Sequence, residues 1–347
     1  MLERYRFRTL RVHGSLRVYN GLMRMPAGLT WQWSRFVLGA LFALPGILVA
    51  PFSPTAGLAL AIGVLPAAAY GLPSRRRRRA VLPLVGVLSA LGLLLGSTLT
   101  RAPAVAVVAL LVLSVGASLS TARGPFGRLL LALVLPLVGI GLSFPDLGLT
   151  LVAAGCIVAG SVYAWLVSLL WPERDEPLPP APETARGADL LGYGILLGLA
   201  AAIAAAIGYL LGLEHVGWAT GTVLLVMRPA RGQVILRSAG RSASVFLGAL
   251  AAMVVTLFDP GGILIAVLIA VAIGAMSAMR ESRWYVAPAF TTIVVLTLIL
   301  STSTSSPGAR FLERTVETLI GVGLALTFGA AIPSLVALLR AQISRRR

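Results

Sequence analysis

From Phe36 to Leu339 the chain is a succession of apolar runs of roughly a helix-span each, parted by short loops that hold most of its charge. An α-helix needs about 20 mostly apolar residues to cross a hydrocarbon core of about 30 Å. In that solvent only a helix or a closed barrel satisfies its own backbone hydrogen bonds. Composition agrees, with 58% hydrophobic and 12% charged residues, where soluble domains carry about 45–50% and 25%. The fold class implied is all-α, a polytopic helical bundle in a membrane.

Twelve runs are legible. In the first half they are Phe36 to Phe52, Pro54 to Leu72, Val81 to Leu99, Ala102 to Ser120, Phe126 to Phe144 and Leu147 to Trp171. In the second half they are Leu190 to Leu213, Gly217 to Met227, Leu236 to Phe258, Gly262 to Met279, Trp284 to Leu300 and Phe311 to Leu339. The eighth is short and ends at Pro229, which reads as a broken or re-entrant piece.

Loop charges test the count. With the N-terminus inside, "PSRRRRRA", "TARGPFGR", "RPARGQVILRSAGR", "MRESR" and the tail "ISRRR" all fall on the cytoplasmic face, and the opposite loops keep only Arg101 and Arg310. This is the positive-inside pattern, and a missed helix would break it from that point onward. It implies a bacterial inner-membrane, multi-pass protein with both termini cytoplasmic.

The organisation expected is a basic amphipathic N-terminal arm (residues 1–35), a first membrane half (36–171), a Pro- and acid-rich linker (172–189), a second half (190–339) and a basic tail (340–347). Landmarks recur across the linker: Pro73 and Pro229 lie 156 residues apart, and Ser120 and Ser277 lie 157 apart. Six spans per half would make a parallel repeat about an axis along the membrane normal, the first half a degenerate copy.

A formal charge of +17 could suggest nucleic acid. The basic residues instead fall in short clusters without interleaved aromatics, so no nucleic-acid partner is expected. All 29 basic residues are Arg, which removes the Walker A lysine and the Schiff-base lysine of pyridoxal enzymes. Cys156 lies in an apolar run, and His13 and His215 are far apart and expected on opposite faces. No metal site, disulfide or cofactor is expected, and no nucleophile and base constellation points to an enzyme.

Charge inside or beside the runs is scarce enough to be informative. Arg310, Glu313, Arg314 and Glu317 stand at the mouth of the twelfth span. Helix spacing puts Glu313 and Glu317 on one face, Arg310 and Arg314 on a neighbouring one, and lets Arg314 pair with Glu317. One reading is a capped, salt-bridged helix start, with the helix dipole favouring the two carboxylates in the first two turns. The other is a coupling site in which Glu317 exchanges a proton while Arg314 holds it or contacts an anion.

Arg228, Arg231, Arg237 and Arg241 surround Pro229 and could capture a carboxylate, or could anchor lipid headgroups. Trp218 and Tyr285, with Trp284, read as interface anchors or as stacking surfaces for an aromatic ring. Arg75 to Arg79 read as a topology signal. Thr220, Thr222, Thr291, Thr292 and Thr297 read as backbone-bonding or pathway hydroxyls, and Gly194 with Gly198 as a close helix contact.

Four stretches, "HVGWATGTVLLVMRP", "RSAGRSASVFLGALAA", "SRWYVAPAFTTIVVLTLIL" and "RTVETLIGVGLAL", occur in an order that resembles the fusaric acid resistance-like (FUSC) domain. That membrane unit is shared by aromatic acid exporters and, distantly, by plant aluminium-activated malate channels. The resemblance spans about His215 to Leu326 and puts Glu317 where the family usually has an acid. Ser244-Val245 replace the usual Gly-Thr, and the large cytoplasmic domain of the exporters is missing.

The resemblance implies a secondary transporter or exporter of small organic anions, with aromatic carboxylates as the substrate class. A non-transporting scaffold or envelope-assembly protein, or an uncoupled anion channel, would fit the same charges. The partners expected are the lipid bilayer and the organic anion, with a homo-oligomer left open.

Overall fold

A computed structural model describes residues 29–173, 187–227, 234–282, 286–302 and 306–346, and all regular structure among them is helical. Each of the twelve apolar runs holds a helix. The first contains α1 (Trp33–Phe42) and α2 (Leu44–Val49), which break at Ala43 just ahead of Pro45. Then follow α3 (Pro54–Tyr70), a short basic α4 (Arg76–Arg79), α5 (Val81–Leu99) and α6 (Pro103–Ser120). The fifth run divides into α7 (Pro125–Leu129), a π turn over Leu130–Val134 and α8 (Leu135–Gly141), and α9 is Leu147–Leu169. The second half holds α10 (Gly187–Leu210), α11 (Gly217–Val226), α12 (Val234–Leu257), α13 (Gly262–Ala278) and α14 (Ala287–Thr302). Last come α15 (Pro307–Leu326), a π turn over Thr327–Ala331 and α16 (Ile332–Arg346).

Local chemistry sets the starts. Ser53 accepts from the Ala56 N–H, Asp146 from the Gly148 and Leu149 N–H groups, and Ser306 from the Ala309 N–H. These are N-cap bonds that satisfy otherwise orphaned donors. Pro54, Pro103, Pro125 and Pro307 occupy first-turn positions, where their missing N–H costs nothing.

On α6 and α9 the inward stripe is mostly small or hydroxylic, and several of the largest apolar side chains point outward. On α6 the buried stripe is Ala106, Leu110, Ser114 and Ser118, while Val105, Val108 and Val112 are exposed. On α9 the stripe is Thr150, Ala154, Ile157, Ser161, Ala164 and Ser168, with Leu149, Val152 and Leu166 outside. A soluble protein does not cover itself in such surface; a protein dissolved in lipid does, because its helices associate through close packing rather than apolar burial.

Six helical stretches are long and apolar enough to cross a bilayer: Arg76–Leu99, Pro103–Arg123, Leu147–Leu169, Asp189–Leu210, Val234–Leu257 and Pro307–Val336. Six shorter apolar helices accompany them: Trp33–Phe42, Pro54–Tyr70, Pro125–Gly141, Gly217–Val226, Gly262–Ala278 and Ala287–Ser301. The chain is a multi-pass membrane protein.

Packing is pairwise: α1 lies on α13, α10 on α6, α9 on α5 and α3, α15 on α12 and α11, α5 on α8, α12 on α14, α11 on α8 and α3 on α14. Among the described residues two large apolar cores result, with two smaller clusters beside them. One joins α1, α3 and α13; the other joins α6, α8, α10 and α11. Glycines permit the closest approaches, and the Gly194–Gly198 contact expected from spacing is present. Gly194 faces Val115 and Ser118, and a Cβ on Gly198 would lie 2.9 Å from the Leu111 Cα.

The Arg75 to Arg79 cluster is more than a topology signal, since Arg79 turns inward and is fully buried. The bland reading of the threonines holds for three of them. Thr220, Thr222 and Thr291 donate to the carbonyls of Val216, Trp218 and Pro288.

Gly198→Leu should therefore lower stability by about 1–3 kcal/mol through overpacking, seen as a fall in Tm in detergent. Gly155→Leu, where a Cβ would meet nothing within 4 Å, should leave Tm unchanged.

Candidate functional site: a buried charge cluster between α11, α12 and α15

α15 starts at Pro307, capped by Ser306, one turn earlier than the apolar run suggests. The start is capped and salt-bridged, as one reading has it, but the dipole does not account for the acids, because none lies in the first turn and its pull fades beyond it. Glu317 stands ten residues into the helix, or about 15 Å along its axis. Arg310, Glu317, Thr318 and Gly321 are buried, while Leu312, Val316 and Leu319 face outward. The charged face thus points into the protein and the apolar face away from it.

That face meets α11, which is buried along almost its whole length. Gly321 carries no side chain and lets α15 close on the Ala219 carbonyl and Thr222. With ten residues, α11 reaches about 15 Å, half a bilayer core, so it is the broken piece expected from the short eighth run. On the other side α15 meets α12. Phe246 touches Phe311 at 5.3 Å between ring centroids, while Arg241 feels the charge of Arg314. Positions rise along one helix as they fall along the other, so α12 and α15 run antiparallel.

The charges divide into two groups. In the outer one, Arg310 donates from Nη1 to Glu313 Oε2 at 2.8 Å and from Nη2 to Glu214 Oε1 at 2.6 Å. His215 Nδ1 lies 3.1 Å from Glu313 Oε1. Arg310 is 5% exposed, and this lattice clamps the start of α15 to the loop between α10 and α11. Glu214 lies in that loop, and its hydrogen bond from Arg310 holds its carboxyl below the ordinary 4.5.

Sequence reasoning missed Glu214 and the role of His215. The adjacent pair in "LEHVG" was the available signal, but nothing local shows that Arg310 and Glu313 come to meet it. Glu214, His215 and Glu313 offer ligand-type atoms within 4.8 Å of one another. Arg310 already supplies positive charge to both carboxylates, so the group reads as an ion-pair lattice rather than a cation site.

The inner group is less satisfied. Trp218 is 5% exposed, which corrects its reading as an interface anchor. Its ring stacks on His215 at 4.2 Å and 15°, and the Arg314 guanidinium lies 4.4 Å from its centroid. The expected Arg314–Glu317 pair is not made as a salt bridge; Arg314 uses its planar cation on the ring instead. Glu317 is 1% exposed, and neither oxygen has a hydrogen-bond partner among the described residues. Arg241 is 8% exposed with its Nε unpartnered.

Arg237 lies one turn before Arg241 on α12 and is partly buried. Arg228, Arg231 and Tyr285, with Trp284 and His13, lie outside the described residues.

Two measurements check the outer lattice. Glu214 has a depressed folded pKa, so its contribution is present above the ordinary carboxylate value and is lost as pH falls through the folded one. Glu214→Gln should flatten the acid side of the Tm profile and leave it unchanged near neutrality, with a small amplitude because the side chain is mostly exposed. Arg310→Gln should cost about 3 kcal/mol, since it strands Glu313 without its cation.

No curated protein matches the chain. Residues 201–328, which contain α11, the paired arginines of α12 and the charged start of α15, match the family model FUSC_2, fusaric acid resistance protein-like, as the four motifs indicate.

Proposed function

We propose that the chain is a secondary transporter of small organic anions, with aromatic carboxylates as the substrate class, in a bacterial inner membrane. The family match supports transport as the general function. The observation that carries the site is Glu317, deep in α15, almost without solvent and with both oxygens unpartnered among the described residues.

Such a carboxylate is costly as a bare anion. It is relieved by a proton or by a cation brought to it. Arg310 and Arg314 stand near it with Glu214 and Glu313, and Arg241 lies beside Arg314, so with Glu317 the cluster counts three guanidinium groups and three carboxyls. With Glu317 ionised these six charges balance. A substrate carboxylate arriving between Arg241 and Arg314 adds one negative charge, and a proton on Glu317 restores neutrality. Coupling follows from that balance: the anion and the proton occupy the site together. Trp218 beside Arg314 supplies a flat face for an aromatic ring. Arg237, near the start of α12, would gather anions there.

We further propose twelve membrane crossings in two parallel halves, both termini cytoplasmic. Packing supports the repeat. α1 on α13 has its counterpart in α10 on α6, α9 on α5 and α3 in α15 on α12 and α11, α5 on α8 in α12 on α14, and α3 on α14 in α11 on α8. Gly39 against Ser277 matches Gly194 against Ser118. The half-length α11 is the element that departs from its counterpart α3, and it is the one against which the charges gather.

The test is flux of an aromatic carboxylate into proteoliposomes with and without an imposed pH gradient. Gradient-driven flux should appear and fall at least about tenfold in Glu317→Gln, the order expected when a proton-transfer group is removed. Gradient-independent flux would identify an uncoupled channel. No flux of any organic anion would leave the outer lattice as the structural clamp of a scaffold.

A further inference from the structure

A second basic site lies in the first half, away from Glu317. At the end of the bundle where α1 and α5 start and α3, α9 and α13 finish, a small cavity of about 40 Å³ is lined by Arg35, Arg79, Arg280, Ser74, Ser277 and Trp171, among others. It has room for roughly three waters, about the space of one small oxyanion. The arginine distribution assigns this face to the cytoplasm.

Arg79 supplies the electrostatic reason for a ligand. Its guanidinium is fully buried and donates to five carbonyls, those of Pro73, Ser74, Ser168, Trp171 and Pro172. Carbonyl dipoles fix the group in place but do not cancel its charge. Among the described residues no carboxylate lies within salt-bridge distance of it. Glu173, the nearest acid, accepts instead from the Arg76 backbone N–H at 2.7 Å. A buried guanidinium held by dipoles, with Glu173 acting on it only from beyond contact, favours an anion brought closer.

The donors around the cavity are placed for one. Arg280 reaches in from the end of α13 and is braced by the Tyr70 carbonyl. It lies directly over Gly71, whose φ of +80° and missing side chain make its room, since a Cβ there would collide with the guanidinium. Arg35 comes from α1 and is held by its ion pair with Glu281. Ser277 is 8% exposed and its hydroxyl has no partner among the described residues. Donors arriving from two elements, α1 and the end of α13, offer more than one direction of approach, which suits a tetrahedral oxyanion better than a planar carboxylate that one guanidinium satisfies in its own plane.

We propose that this cavity binds a phosphate-type oxyanion, seated on Arg280, Arg35 and Ser277 with Arg79 as its fixed counter-charge. The phosphate of an anionic lipid headgroup and a free phosphate share this chemistry. The site is independent of the transport reading, and its test does not use flux.

The test is the Tm of the purified full-length protein in detergent, titrated with short-chain phosphatidylglycerol, with inorganic phosphate and with sodium benzoate at matched ionic strength. Saturable stabilisation by either phosphate probe is expected, and the probe that saturates at lower concentration names the source. Arg280→Gln should weaken the half-saturating concentration by about tenfold, the loss of one charge-assisted hydrogen bond. Ser277→Ala should weaken it several-fold. Because it removes only a hydroxyl that has no partner among the described residues, it keeps the test decisive if Arg280→Gln fails to fold. Non-saturable stabilisation, equal half-saturation in wild type and Ser277→Ala, or preference for benzoate would overturn the proposal.

Discussion

A charge carried into apolar surroundings has to find a partner, a dipole or a proton, and the second half of this chain is arranged around that requirement. Arg310 could not be 5% exposed on α15 without Glu313 one turn on and Glu214 across the loop. Those pairs set where α11 begins, because Glu214 and His215 immediately precede it. His215 and Arg314 then fix the plane of Trp218. What remains unsatisfied, Glu317 and the Nε of Arg241, lies deeper along the same seam between α12 and α15. The outer charges hold the structure together and leave the inner ones available for chemistry.

Close packing makes the seam possible. Lipid tails are as apolar as leucine, so helices gain little by hiding leucine from them. They gain by bringing backbones together at small residues, as at Gly321 on α11 and Gly198 on α6. The same economy puts serine and threonine inside, bonded to their own helices or to a neighbour's carbonyl, as Ser118 is to Leu190 and Ser97 to Phe144. A half-length helix such as α11 is tolerated because protein surrounds it on every side.

Helix positions were legible because each depends on a local run of apolar residues, and the brevity of α11 showed in the Pro at its end. The start of α15 was legible in principle: Ser306-Pro307 is an N-cap followed by a first-turn proline, but hydropathy alone moved the boundary to Phe311 and made the acids look like a helix cap. Other features were beyond local reading. The burial of Trp218, the meeting of Glu214 with Arg310 across 96 residues and the inward turn of Arg79 depend on which helix lies beside which. An arginine inside a run of five looks the same whether it faces solvent or a ring of carbonyls.

The central claim is that an anion held between Arg241 and Arg314 is balanced by a proton on Glu317. Proton uptake measured directly on anion binding tests it most simply, with purified protein in weakly buffered solution and benzoate added to saturation. The account predicts proton uptake that rises toward one per bound anion as the starting pH is raised and Glu317 is ionised before the anion arrives, by linkage between the two sites, and binding without uptake in Glu317→Gln. Benzoate binding to the wild-type protein with no change in proton count would contradict it.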